Sequence, residues 1–313
     1  MAGRSNGAVA TGFDPELHYR MRQLREAVRE QDLVEVINLL SMGVDLFSGQ
    51  EASMLCIATR RANLDILKAL LVAGANPDQF DRRSSSHKSR NALMEASSRN
   101  WRPGMQVLIE HGADLDLVDE HGATALLLAV KHGSSEAISL LLESGARASV
   151  PEAARPSVSP LHEVRDRQTL DRLVVAGAIL DEPDRNGMTP LHCAVRAGTA
   201  SKDPRRALLP VVSGLLEYGA NANAQDHAGR TPLFYIVTRP RNSLSGAVQA
   251  NGAASDLDPG LDIARALLSH GADLSHRDRN GDTVFDFMRS SRFASLGSGL
   301  EGFLRQLEKL DQE

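Results

Sequence analysis

Cysteine is nearly missing from this chain: among 313 residues there are two, Cys56 and Cys193. Two thiols cannot build a disulfide framework, and their separation lacks the spacing of a structural zinc site. Aromatic side chains make up only 4%, with one tryptophan, Trp101, which argues against a large aromatic-lined ligand cavity. A surplus of basic charge is also missing. The formal net charge is −5, and duplex binding usually requires excess Lys and Arg, so general nucleic-acid affinity is not expected. No stretch approaches the roughly 18 apolar residues of a membrane span, and the opening MAGRSNGAVATG has no apolar run resembling a secretory signal. These deficits together predict a protein of a reducing compartment, cytoplasmic or nuclear, with no membrane insertion, no metal and no cofactor.

What the sequence does have is globular composition, 42% hydrophobic and 24% charged, and a phrase that repeats. SMGVDL (41–46), VAGANP (72–77), EHGADL (110–115), ESGARA (143–148), VAGAIL (175–180), EYGANA (217–222) and SHGADL (269–274) share one glycine position. The glycines are Gly43, Gly74, Gly112, Gly145, Gly177, Gly219 and Gly271, separated by 31, 38, 33, 32, 42 and 52 residues. The shorter steps cluster near a period of about 33, and the longer ones read as that period with insertions. A second phrase keeps register with it: SMLCIA (53–58), NALMEA (91–96), TALLLA (124–129), SPLHEV (159–164), TPLHCA (189–194) and TPLFYI (231–236). Thr189 followed by Pro190 is a helix start, since the hydroxyl can cap the first turn and proline has no N–H to leave unpaired there. A glycine such as Gly219 can end a helix in the left-handed conformation. Between helix pairs stand DEHG (119–122), DRNG (184–187), DHAG (226–229) and DRNG (278–281), each a turn signal.

These phrases, D-x-x-G-x-T-P-L-H followed by L-L-x-x-G-A, resemble the ankyrin-repeat family over roughly residues 20–310. The resemblance implies an all-α solenoid: antiparallel helix pairs stacked side by side, with short hairpin or turn fingers along one edge. Seven repeats are recognisable, plus a degenerate C-terminal capping repeat made from GDTVFDFM (281–288) and LEGFLRQLEKL (300–310). The expected organisation is a disordered tail over 1–16, a repeat domain over 17–310 and a C-terminal end over 311–313, with insertions at 82–90, 199–210 and 238–260. Repeat five is three residues shorter than its neighbour between the two phrases, which predicts stunted helices.

Several strings look like catalytic motifs. His192 and Cys193 are adjacent, but consecutive helical side chains diverge by about 100° and cannot face each other. By resemblance, His192 steadies its helix start and Cys193 occupies a leucine position. GSGLEG (297–302) has the glycine pattern of dinucleotide sites without a preceding strand, and predicts a loop before the closing helix. HEVRD (162–166) begins like a zinc-protease helix but carries Asp166 where the second histidine belongs. No enzyme is expected.

Surface positions carry the functional expectation instead. Aligning the last turn of each inner helix gives a recurring cation: Arg29, Arg60 and Arg61, Arg99, Lys131 and His132, Arg165, Arg196, Arg239. Cations at helix C-termini are favoured by about 0.3–1 kcal/mol through the helix dipole. They also suit capture of an acidic or phosphorylated protein segment. The finger tips Glu120, His121, Arg185, Asn186, His227 and Arg230, together with Trp101, complete the candidate partner-binding set. Ser85, after Arg82 and Arg83, is a candidate phosphorylation site. The functional expectation is a protein-binding scaffold or adaptor, monomeric outside its complex. The alternative is a regulatory subunit that recruits substrate to a ubiquitin ligase or another enzyme.

Overall fold

A computed structural model describes residues 15–44, 54–81, 89–149, 158–200, 208–236, 259–290 and 297–310. The described residues form α-helices and two single 3-10 turns without any strand; one isolated bridge joins Asp81 to Arg90. The helices are α1 (Pro15–Glu30), α2 (Leu33–Ser41), α3 (Met54–Arg60), α4 (Leu64–Val72), α5 (Ala92–Ser98), α6 (Arg102–Glu110), α7 (Ala125–His132), α8 (Ser135–Glu143), α9 (Arg167–Val175), α10 (Pro190–Ala200), α11 (Leu209–Glu217), α12 (Pro259–Ser269), α13 (Val284–Arg289) and α14 (Gly297–Leu310). The chain divides into two compact units, Met1–Ala96 with Trp101–Asp114, and Ser97–Asn100 with Leu115–Glu313. In the first, α1 packs on α2 and α3, α2 on α4, and α4 on α6. In the second, α7 packs on α8, α9 and α10 on α11, and α11 on α12, which meets α14.

The outer helix α4 shows why the period works. Asn63 accepts a hydrogen bond from the Ile66 N–H at 3.1 Å and starts the helix. Ile66, Leu67, Leu70 and Leu71 then fall on one face and are buried, each contributing about 1.5–3 kcal/mol. Gly74 takes φ +91°, its N–H bonding to the Leu71 carbonyl at 3.0 Å, so the chain leaves the helix in a left-handed turn that a side chain would strain. On the inner helices, Ala58, Ala96, Ala129 and Ala194 occupy equivalent sites and are buried, keeping that face small enough for close helix approach. Gly214 does the same for α9 and α11: a Cβ there would stand 2.6 Å from Leu170 Cδ2.

Side-chain oxygens tie several loops to the following repeat. Within the first unit, Asp78 accepts from the Asp114 N–H at 2.9 Å. Within the second, Asp116 accepts from Arg147 N–H (2.9 Å), Asp181 from Asn221 N–H (3.1 Å) and Asn223 from Asp273 N–H (2.9 Å). Each bond satisfies a backbone donor that would otherwise be left at the loop after an outer helix.

Three expectations need correction. Only one helix of repeat five is stunted: the inner one shrinks to a 3-10 turn, Pro160–Glu163, while α9 keeps nine residues because Asp166 caps it by accepting from the Thr169 N–H at 2.8 Å. Asp166 is therefore the start of the outer helix. Repeat seven is also reduced, to the 3-10 turn Pro232–Tyr235. There Phe234 replaces the histidine of T-P-L-H, and the buried Thr231 hydroxyl has no hydrogen-bond partner. Finally, GSGLEG lies inside α14 and is not a loop.

Candidate functional site

The four D-x-x-G turns of the second unit are built alike. Asp119, Asp184, Asp226 and Asp278 are all buried. In each, Oδ1 accepts two backbone N–H groups, from the residues two and four places on: His121 and Ala123 (2.9 and 2.8 Å), Asn186 and Met188 (2.7 and 2.9 Å), Ala228 and Arg230 (2.7 and 2.9 Å), Asn280 and Asp282 (2.8 and 3.2 Å). A single side-chain oxygen with two lone pairs takes both donors, and the second carboxylate oxygen stays available for a further partner, as Asp226 Oδ2 is for the Tyr235 hydroxyl. Adjacent fingers then pair through backbone, His227 N–H to Asn186 C=O at 2.9 Å and Arg279 N–H to Ala228 C=O at 3.0 Å. Gly187 is required twice over, since φ is +78° and a Cβ would stand 2.7 Å from His227 Cδ2.

The inner-helix histidines clamp this comb to the stack. His192 accepts the Thr189 N–H on Nδ1 at 3.1 Å, with the Thr189 hydroxyl 2.9 Å away, and donates from Nε2 to the Arg230 carbonyl at 3.0 Å. His162 repeats the arrangement with Ser159 and the Met188 carbonyl. Burial pushes both imidazoles below their ordinary value, against opposing help from Asp184 and Glu182 around His162, and from Asp226, Asp184 and Asp181 around His192. With both nitrogens of His192 committed, it has none to offer Cys193, whose thiol burial raises to about 11. Cys56 is buried, its Sγ 3.4 Å from the Arg90 carbonyl. Cys193 stays a protonated thiol at neutral pH. Among the described residues no group of three or more His, Cys, Asp or Glu is placed to hold a metal.

The predicted recognition residues separate into two kinds. Glu120, His121, Arg185, Asn186 and His227 are exposed at finger tips, and Arg61, Arg99, Lys131, His132 and Arg165 are exposed near inner-helix ends; Arg196 is exposed too, but α10 runs on to Ala200 and leaves it before the last turn. Arg60, Arg230 and Trp101 are half-buried and hold the fold. Arg60 pairs with buried Asp81. Arg230 bonds Asp278 at 3.3 Å, lies over the Phe287 ring at 4.4 Å and lends its carbonyl to His192. Lys131 and Arg165 both approach Glu163, at 3.4 and 3.7 Å. Arg239 and Ser85 lie outside the described residues. Reading the eighth repeat only as a cap hid Arg279, which stands at the same finger position as Arg185 and His227.

The Trp101 ring lies against Gly104, where a Cβ would overlap its six-membered ring. Replacing Gly104 with alanine is expected to displace the ring, red-shift the emission of this single tryptophan and cost about 1–3 kcal/mol. An unchanged spectrum and urea midpoint would remove this placement.

Residues 54–151 match a family model of ankyrin repeats in three copies, and residues 186–227 match the model of a single ankyrin repeat. The chain is an ankyrin-repeat protein. It is 27% identical over 255 residues to the B-cell lymphoma 3 protein homolog of Mus musculus, covering 76% of this chain and 53% of that protein. It is 29% identical over 258 residues to the ankyrin repeat and SOCS box protein 6 of Pongo abelii, covering 82% and 48%. The chain thus spans about half the length of these two relatives. The ankyrin repeat domain of human ASB11 superimposes with a TM-score of 0.54 at 26% identity, covering 77% of this chain and 95% of that one. Ankyrin repeats generally bind other proteins and generally do no chemistry. No helix among the described residues is long and apolar enough to cross a membrane.

Proposed function

We propose that this ankyrin-repeat chain is a non-catalytic scaffold or adaptor that holds an acidic or phosphorylated segment of another protein. It does so in the cytoplasm or nucleus, as a monomer outside its complex, through finger tips and basic inner-helix ends. The observation that carries this reading is the division of labour within each finger. Buried aspartate and backbone pairing immobilise the turn, while the side chains at Arg185, Asn186 and His227 stay exposed. A rigid frame with exposed points binds without first losing backbone entropy, and its points can vary without disturbing the core.

Affinity capture with mass spectrometry tests it. Changing Arg61, Arg99, Arg185 and Arg196 together to Glu is expected to reduce partner recovery about tenfold or more, with the helical spectrum intact. Arg60 is left alone because it pairs with the buried Asp81 and so serves the fold. An unchanged set of captured proteins overturns the reading. The likeness to an ankyrin repeat and SOCS box protein favours a second reading, a subunit recruiting substrate to a ubiquitin ligase. Its mark would be ligase subunits among the captured proteins.

A further inference from the structure

Resting on that scaffold reading, we infer that three consecutive fingers form one linear site for an extended acidic segment carrying a carboxylate at every third residue. Arg185, His227 and Arg279 each follow the buried aspartate of their finger, so they occupy one position on three turns of the same backbone geometry. The turns are locked in register by the His227 to Asn186 and Arg279 to Ala228 backbone bonds. All three side chains are exposed, and among the described residues neither Arg185 nor Arg279 has an ion-pair partner. Four neighbouring acids are engaged elsewhere: Asp184, Asp226 and Asp278 inside their own turns, and Asp181 on the Asn221 N–H. The row thus presents positive or hydrogen-donating groups on a chain that is acidic overall.

Spacing decides the partner's conformation. Stacked helices lie about 8–10 Å apart, which sets the step from finger to finger. A β-strand returns side chains to one face every second residue, at about 6.6 Å or its double, and misses that step. A polyproline II segment returns every third residue, at about 9.3 Å, and matches it. Such a segment also loses little entropy on binding, because the conformation is already populated when free.

The test uses the full chain and fluorescein-labelled peptides at about 50 mM salt, where screening is weak. One peptide is (Glu-Pro-Pro)3; the other has the same composition with the three glutamates adjacent. Anisotropy is expected to show the spaced peptide binding about tenfold tighter than the block peptide. The Arg185→Glu, Arg279→Glu double variant should lose that preference, whereas Arg102→Glu, exposed on α6, should keep it. Equal binding of the two peptides, or binding that survives the double reversal, overturns the inference. So does tighter binding of a single-stranded polyuridine, which would make the row a phosphate-backbone site. If the wild-type chain captures cellular proteins yet prefers neither peptide, this inference fails and the scaffold reading stands. If it captures none, the scaffold reading fails while the peptide comparison still decides the spacing.

Discussion

Asp226→Ala is expected to be more damaging than any exposed substitution in the finger row, costing about 3 kcal/mol or more by urea titration. One carboxylate holds the turn from three directions. Its Oδ1 takes the Ala228 and Arg230 N–H groups at 2.7 and 2.9 Å, and its Oδ2 takes the Tyr235 hydroxyl. Burial beside this charge pushes the Tyr235 phenol up to about 12, so the hydroxyl remains a donor across the working range. Removing the carboxylate leaves those donors in a site with little access to water, where an unmet group costs about 1–3 kcal/mol. The damage also spreads. The Ala228 carbonyl anchors Arg279, the Asn186 carbonyl anchors His227, and the Arg230 carbonyl receives His192, so both neighbouring repeats lose reference points. Asp226→Asn keeps one oxygen for the two N–H groups and should cost about 1 kcal/mol, while Arg185→Ala should stay within about 0.5 kcal/mol. If Asp226→Ala behaves like Arg185→Ala, the turns are not what registers the comb. Because repeat arrays can open locally, amide exchange at Ala228 and Arg230 is the sharper readout.

The parts of this architecture legible in the sequence are those encoded locally. Gly74 and its equivalents mark helix ends because left-handed backbone is a property of the residue itself. Asp184 and Gly187 mark a turn because the aspartate bonds groups two and four residues away. What sequence alone did not disclose was set by neighbours distant in the chain. Arg60 reads as a free helix-end cation until the chain returns with Asp81. Trp101 reads as an exposed anchor until its ring is seen against Gly104. Arg230 reads as a finger tip, yet Asp278 and Phe287 of the following repeat hold it. The shortening at Pro232–Tyr235 was equally hidden, although the change from histidine to Phe234 in TPLF was a visible sign that the Thr231 hydroxyl would lose its usual partner. For the candidate site, the sequence placed the fingers correctly but could not rank their residues, because exposure and pairing depend on the stack.

Mild acid is expected to loosen the second unit before it affects the carboxylates. His162 and His192 are buried as neutral rings, with Nε2 donating to a carbonyl and Nδ1 accepting a backbone N–H. A proton arriving on Nδ1 meets that N–H, a donor facing a donor, so charging the ring breaks the clamp. Both folded values lie below the ordinary 6.5, which the unfolded chain recovers. The unfolded state therefore binds more protons as pH falls below 6.5. Stability is full above that value and is lost as pH drops through the window down to the folded values. Inside the window each histidine contributes a slope of about 1.4 kcal/mol per pH unit. The acids with depressed values, Asp171, Asp273 and Asp286, add their own loss only below their ordinary 3.8. Between pH 7.5 and about 5 the slope thus belongs to the histidines. His162→Gln and His192→Gln should each be less stable at pH 7.5, with about half the pH dependence of the wild type, and the double variant should be nearly flat across that range. Urea titrations at pH 7.5, 6.5 and 5.5 decide it, and a double variant as pH-sensitive as the parent would show that the clamp is not where the protons go.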